Sequence, residues 1–375
     1  MARKKHRRTA PTLITVTFVF VAASAVVVGV LFFVLMRERF DSYQRDVMIS
    51  AIGTRAEGVQ TAFAHALFEQ WSRLRHLSGV IGDHDAAAIA MTLDTIVGDG
   101  SQISWGGYAN VDGTILAASG NLLVGADVSS RPWFQEGLEG PYAGDVHDAV
   151  LLAEKLGSSK DSLPRFLDLA MPVRDGNGEI RGVLGLHLNA DWAASYIKDI
   201  ADALDIDVYL VNENGTVVIA SDDAHHGSLD IPSMRAARTG AAASYLERWP
   251  DGRMYFSATV PEVGYRELPS FGWSLVARIP AEAFLAPQEN FSERMIFYLV
   301  SFGVMLILMT LIFIQFFIRP ISTLSRNARK IADGIDVYPY EPTRTSELRA
   351  LSGALARLQS RLHRHNQSGD RDPSG

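Results

Sequence analysis

The 375-residue sequence contains no cysteine. Disulfide bonds, thiolate nucleophiles and cysteine-ligated metal centres are therefore excluded at the outset. The absence leaves the redox compartment open, because a folded region of more than 200 residues buries enough surface to stand without covalent staples. Basic charge is scarce in the middle of the chain: residues 38–294 hold 19 Lys and Arg against 36 Asp and Glu. The first 37 residues hold six basic and no acidic groups, and residues 295–375 hold ten basic and six acidic. An acidic middle with no basic stripe argues against nucleic acid as a partner. Enzyme signatures are missing too, with no Gly-x-Ser-x-Gly elbow, no His-Glu-x-x-His helix and no Gly-x-x-x-x-Gly-Lys phosphate loop. Nothing in the sequence assigns a catalytic activity or a cofactor.

What the sequence does have is two long apolar runs. Residues 12–36 carry no charge, and at 1.5 Å per residue a helix of that length crosses a hydrocarbon layer of about 30 Å with some tilt. A cleaved signal peptide is the rival reading, since Ala22, Ala23, Ser24 and Ala25 supply small residues, but the apolar run continues well past Ala25. Residues 295–318, bounded by Arg294 and Arg319, form the second candidate span. Arg3, Lys4, Lys5, Arg7 and Arg8 precede the first run, and Arg319, Arg326, Arg329 and Lys330 follow the second. The positive-inside rule then puts residues 1–11 and the C-terminal segment in the cytoplasm and residues 38–294 outside a cytoplasmic (inner) membrane.

The outer region opens with a long amphipathic helix from Arg39 to about Val80, with Val47, Val59, Phe63, Leu67 and Leu74 on its apolar face. A shorter helix is expected from Asp85 to Val97. Thereafter the pattern turns strand-like and repeats. Residues 110–119 read NVDGTILAAS and residues 212–221 read NENGTVVIAS, each with Gly-Thr at a hairpin turn. A strand–turn–strand layout recurs downstream, from Met171 to Leu188 and again from Val260 to Ile279. Two tandem α+β modules, at about 80–190 and 200–280, are the simplest reading.

A long helix leaving a first span, two PAS-like modules and a return into a second span together resemble the double Cache (dCache) sensor domains of bacterial transmembrane receptors. The motif Ser129-Ser130-Arg131-Pro132-Trp133-Phe134, with Pro141-Tyr142 beyond it and the strands 166–173 and 182–188, is similar to the ligand-pocket signature of that family. The resemblance implies that Arg131, beside Trp133, holds a ligand carboxylate. It departs from amino-acid-binding members at Ala126, Phe134 and His187, where the family has Tyr, Tyr and Asp. A histidine offers no anionic partner for a ligand ammonium, so an organic acid or another anion suits Arg131 and His187 better than an ordinary amino acid. Trp133, Phe134 and Tyr142 are the expected flat walls, and Tyr108 and Asp145 are further candidates for the same pocket. The plain alternative for Arg131 is an ion pair with Asp127 or Asp145. Asp222, Asp223, His225 and His226 form a compact cluster that a polar loop explains as readily as a divalent metal does.

After Arg319 come two amphipathic stretches, one carrying Ile321, Leu324, Ala328 and Ile331 and the other Leu348, Leu351, Leu355, Leu358 and Leu362. A turn-rich connector, 334–345, joins them. Residues 319–366 resemble a HAMP relay, with Pro320 as its membrane-proximal proline and Glu347 opening its second helix, which implies a homodimer. A single amphipathic helix on the inner leaflet is the rival. Residues 367–375 read as a disordered tail. The expected protein is a receptor for a small extracytoplasmic molecule that acts on a separate cytoplasmic output protein or on a missing output domain. The other readings are the sensory half of a histidine kinase or diguanylate cyclase, and a non-signalling binding protein.

Overall fold

The computed structural model describes residues 12–148, 164–222, 227–282, 287–337, 340 and 345–369. The chain divides into two units, one of residues Ser42–Ala286 and one of Met1–Asp41 with Pro287–Gly375. The first is α+β.

Helix α1 runs from Leu13 to Ser78. Ile52, Ala56, Val59, Phe63, Leu67, Trp71 and Leu74, at intervals of three or four, are almost wholly buried on one stripe of it. Helix α2, Ala86–Val97, starts where Asp85 caps it by accepting from the Ala88 N–H at 2.8 Å. The first sheet contains β1 (Ile103–Asn110), β2 (Ile115–Ala118), β3 (Tyr142–Asp148), β4 (Arg165–Arg174) and β5 (Ile180–Asn189), in the order β2-β1-β5-β4-β3. Between β2 and β3 lies α3, Pro132–Glu139, opened by a proline in its first turn, where no N–H is needed. Helix α4, Ala190–Ala203, leads to the second sheet. Its strands β6 (Asp207–Val211), β7 (Thr216–Ala220), β8 (Gly227–Ser228), β9 (Ala243–Arg248), β10 (Met254–Val260) and β11 (Ser274–Pro280) lie in the order β8-β7-β6-β11-β10-β9. Helix α5, Pro232–Arg238, is the counterpart of α3 and likewise opens on a proline.

The repeat seen in the sequence is a repeat of hydrogen bonding. Asn110 Oδ1 accepts from the N–H groups of Asp112 and Thr114, and Asn212 Oδ1 accepts from those of Asn214 and Thr216. Gly113 and Gly215 follow with φ of 84° and 78°, values that a side chain disfavours. Alternation along the strands then gives each sheet two faces. Leu184, Leu186 and Leu188 join the core containing α1, as do Leu210, Leu275 and Ala277 of the second sheet. Val183, Phe166 and Trp105 face the other way, into a cluster with Trp133 and Phe134 of α3.

In the second unit, α6 (Pro287–Phe313) passes through a π-helical turn at Ile314–Ile318 into α7 (Arg319–Ala332), with Pro320 in the first turn of α7. A proline removes one N–H and crowds the carbonyl four residues back, which explains the widened turn immediately before it. Helix α8 runs from Ser346 to Gly369 with Glu347 in its first turn. Residues 367–369, expected in a disordered tail, are thus helical, because no proline or glycine interrupts the chain between Gly353 and Gly369. Helices Leu13–Ser78 and Glu293–Ala332 each contain a segment long and apolar enough to cross a membrane.

A Cβ at Gly113 would lie 2.7 Å from the backbone of Ser129, whereas one at Gly178 (φ 86°) would meet nothing. Gly178→Ala is expected to cost about 1–2 kcal/mol from the left-handed backbone alone, and Gly113→Ala clearly more, because the Ser129 segment must also move. All six tryptophans lie within Ser42–Ala286, so the urea dependence of their fluorescence measures both. Equal midpoints for the two variants would contradict the close packing at Gly113.

Candidate functional site

The face of the first sheet opposite α1 carries a cavity of about 270 Å³. Its floor follows from strand alternation. Phe166, Asp168 and Ala170 of β4 share one face, and so do Val183, Gly185 and His187 of β5; Asp168 pairs with His187 across the ladder, and Trp105 of β1 flanks His187 on its other side. Glycines make room for the indoles, since a Cβ at Gly185 would strike the Trp133 ring at 2.8 Å and one at Gly107 would strike Trp105 at 2.1 Å.

The imidazole of His187 is stacked between Trp105 (centroids 4.8 Å apart, 25°) and Phe166 (5.5 Å, 12°), with Trp133 edge-on at 6.2 Å. Its Nδ1 lies 2.5 Å from Asp168 Oδ1. The other carboxylate oxygen, Oδ2, lies 3.6 Å from Nε2 of His147 on β3. Asp168 is only 5% exposed, and a carboxylate so placed needs such partners. Arg131 sits at the N-cap of α3 on the cavity wall. Asp127 accepts from Ser129 N–H, and the Asp145 oxygens are occupied elsewhere, so the expected alternative pairing of Arg131 is not formed. Among the described residues its guanidinium has no hydrogen-bond or ion-pair partner, leaving its planar fork free for an anion. Tyr142 forms another wall. Burial, and then the carboxylates of Asp168, Glu136 and Asp145, push its phenol pKa up, so it stays a neutral donor.

Of the residues singled out in the sequence, Arg131, Trp133, Tyr142, Asp145 and His187 come together around this cavity. Phe134 does not line it; its ring is 3% exposed and packs edge-on to Trp133 beneath the wall. Tyr108 is on the opposite face of β1, in the core with α1, where its hydroxyl donates to the Arg181 carbonyl. Trp105 and Ala109 of β1 belong to the pocket-side cluster, so Tyr108, adjacent to Ala109, points to the other face. Trp105, His147, Phe166 and Asp168 also line the cavity and went unnoticed in the sequence. The one signal was Asp168, a charge inside the apolar run Phe-Leu-Asp-Leu-Ala. Asp223, His225 and His226 lie outside the described residues. Asp222 accepts from Tyr209 and pairs with Arg278.

Asp145 has a second task. Its Oδ1 accepts from Trp273 Nε1 at 2.6 Å and its Oδ2 from Asn212 Nδ2 at 2.8 Å, both in the second module. A residue of the pocket wall is thereby fastened to the neighbouring sheet.

The second module shows the same position filled by a side chain of the chain itself. Counting back five residues from the paired asparagines equates Trp105 with Asp207, and their ladder partners are His187 and Arg278. Arg278 is 4% exposed, stacks over Trp249 and Tyr255 at 4.2 Å from each ring centroid, and binds Asp207 and Asp222 at 2.8 and 3.0 Å. The chain's own guanidinium fills this site.

The fold is thus two antiparallel sheets sharing one long helix, the first with a polar pocket on its far face. No family model matches the chain, and no curated protein matches it. Solved structures similar to it include ligand-binding domains of receptors and kinases. One is the extracellular domain of a protein described as a histidine kinase (13% identity, 63% of this chain and 95% of that chain, TM-score 0.49). Another is the ligand-binding domain of the Pseudomonas aeruginosa amino acid chemoreceptor PctB with L-Arg (14%, 64% and 97%, TM-score 0.49). A third is the sensor domain of the Vibrio cholerae histidine kinase DctB (14%, 63% and 98%, TM-score 0.43).

Asp145→Ala removes the acceptor for both Trp273 and Asn212. A loss of roughly 2–4 kcal/mol is expected by urea denaturation, since each stranded donor costs about 1–3 kcal/mol. Asp148→Ala, at the exposed end of the same strand, should change stability by less than about 0.5 kcal/mol. Similar small effects for both would show that the link between modules carries no stability.

Proposed function

We propose that the chain is a two-pass membrane receptor whose extracytoplasmic domain, 38–294, binds a small organic acid or other anion in the first module. The observation that carries this reading is the guanidinium of Arg131 on the wall of the aromatic cavity, without a hydrogen-bond or ion-pair partner among the described residues, with Trp133 and Tyr142 as further walls. Segments 12–36 and 295–318 are its membrane spans, both termini are cytoplasmic, and the chain is not itself an enzyme. Ligand entry favours one of two positions of β3, and Asp145 passes the difference to Asn212 and Trp273 in the second module. Only a difference in affinity between the two positions does work on the equilibrium.

The cytoplasmic part, 319–366, is a HAMP-like relay that works as a homodimer and addresses an output protein or domain. Leu324 and Ile331 of α7 and Leu348 of α8 are buried within one chain, whereas Leu351, Leu358 and Leu362 are about half exposed. A second copy is the natural cover for that remaining stripe.

Two measurements test the proposal. In the full chain held in lipid nanodiscs, organic acids, amino acids, amines and purines are screened by thermal shift. A bound ligand at 100 times its Kd contributes about 2.7 kcal/mol and raises Tm by about 5 °C. Organic acids are expected to give that shift and Arg131→Ala to abolish it; no shift with any anion would remove the pocket assignment. Because the chain has no cysteine, Leu358→Cys introduces a single thiol on the exposed stripe. Oxidation in membranes should yield a disulfide-linked dimer, and a chain that stays monomeric would rule out the relay.

A further inference from the structure

We propose that the floor of the first-module pocket is a binding site for a divalent first-row transition metal ion, of which Zn²⁺ is the type, held by His147, Asp168 and His187. This deepens the sensor reading above and rests on it: the metal is part of what the pocket recognises, and a carboxylate completes its coordination next to Arg131.

The three side chains come from β3, β4 and β5, and one ligating atom from each lies within 4.8 Å of the other two. Asp168 Oδ1 is 2.5 Å from His187 Nδ1, and Asp168 Oδ2 is 3.6 Å from His147 Nε2. With metal–ligand bonds of about 2.0–2.2 Å, tetrahedral ligand atoms stand roughly 3.3–3.6 Å apart, so Asp168 must pivot to open its 2.5 Å separation from His187 Nδ1, and His147 must move in to close the widest separation. His147 has that freedom, its side chain being 44% exposed, while His187 is fixed by the stacked Trp105 and Phe166 rings.

The surroundings orient the donors. His147 Nδ1 lies 3.1 Å from the Asp145 carbonyl, and donating to it leaves the Nε2 lone pair facing the site. For His187, metal entry requires the proton shared with Asp168 to leave Nδ1, either for Nε2 or for solvent. Two imidazoles and one carboxylate suit zinc and its neighbours rather than magnesium or calcium, which prefer all-oxygen shells. Three protein ligands leave a position open, and both Arg131 and the site line the one cavity. An anion there meets the metal at one end and a guanidinium at the other. His147 and Asp145 are neighbours on β3, so metal entry also acts on the strand tied to the second module.

The test uses the full chain in lipid nanodiscs, stripped with chelator and titrated with Co²⁺ while visible absorption is recorded. One Co²⁺ per chain is expected, with ligand-field bands in the visible that Zn²⁺ displaces and excess Mg²⁺ does not. His147→Ala, at a half-exposed side chain, should weaken Zn²⁺ binding by about 100-fold or more at an unchanged urea midpoint, given that loss of even an outer-shell partner costs about 10–100-fold. Asp168→Asn, similar in shape but uncharged, should weaken it comparably. Absence of the bands, or affinity unchanged in both variants, overturns the metal site. The sensor reading then still stands if an organic acid shifts the chelator-treated chain and Arg131→Ala abolishes that shift. Zn²⁺ uptake without any anion-induced shift supports the metal site and removes the organic acid.

Discussion

Everything in the Ser42–Ala286 unit depends on one constraint: each sheet has an apolar face that must be kept from water, and both use the same stripe of α1. Phe63, Leu67 and Trp71 share a core with Leu184 and Leu186 of the first sheet and with Leu210 and Trp273 of the second. Burial of apolar side chains on this scale is the dominant favourable term in folding. Because the helix covers one face of each sheet, the opposite faces are left to α3 and α5. Short helices cover less, and it is under α3 that polar side chains can reach a cavity.

The two modules share one pattern and resolve the same problem differently. In each, a strand pair places a cationic or imidazole group opposite its partner on the central strand. The second module surrounds Arg278 with Trp249, Tyr255 and two carboxylates, so its charge is balanced from within, although Arg278 Nη1 is buried without a hydrogen-bond partner among the described residues. The first leaves Arg131 at the wall and Asp168 at the floor, with aromatic rings between them. A buried carboxylate among indoles is costly unless its partners are in place.

The architecture was legible where local chemistry writes it. The turns at Asn110 and Asn212, the cap at Asp85 and the proline that opens α3 each have a sequence signature that needs no distant partner. The pocket was legible only in part. Arg131, Trp133 and Tyr142 lie close together in sequence around one helix, and His187 stood out at the end of a strand. Trp105, His147 and Asp168 come from three other strands, and their meeting is set by ladder register, which no single stretch of sequence contains. Tyr108 was misplaced for the same reason, one residue of register deciding which face it served. Asp145 was recognised as a pocket residue, yet its bonds to Asn212 and Trp273, 67 and 128 residues away, were beyond any local reading.

That last linkage has a consequence for how the domain responds to concentration. Hydrogen bonds of 2.6 and 2.8 Å lose most of their strength within about an ångström of displacement or a modest tilt. In the receptor proposed above, the strand carrying Asp145 would therefore be either latched to the second module or detached from it. In that receptor, occupancy of the pocket would rise smoothly while each molecule chose between two states, so a graded chemical input would leave the domain as a digital one.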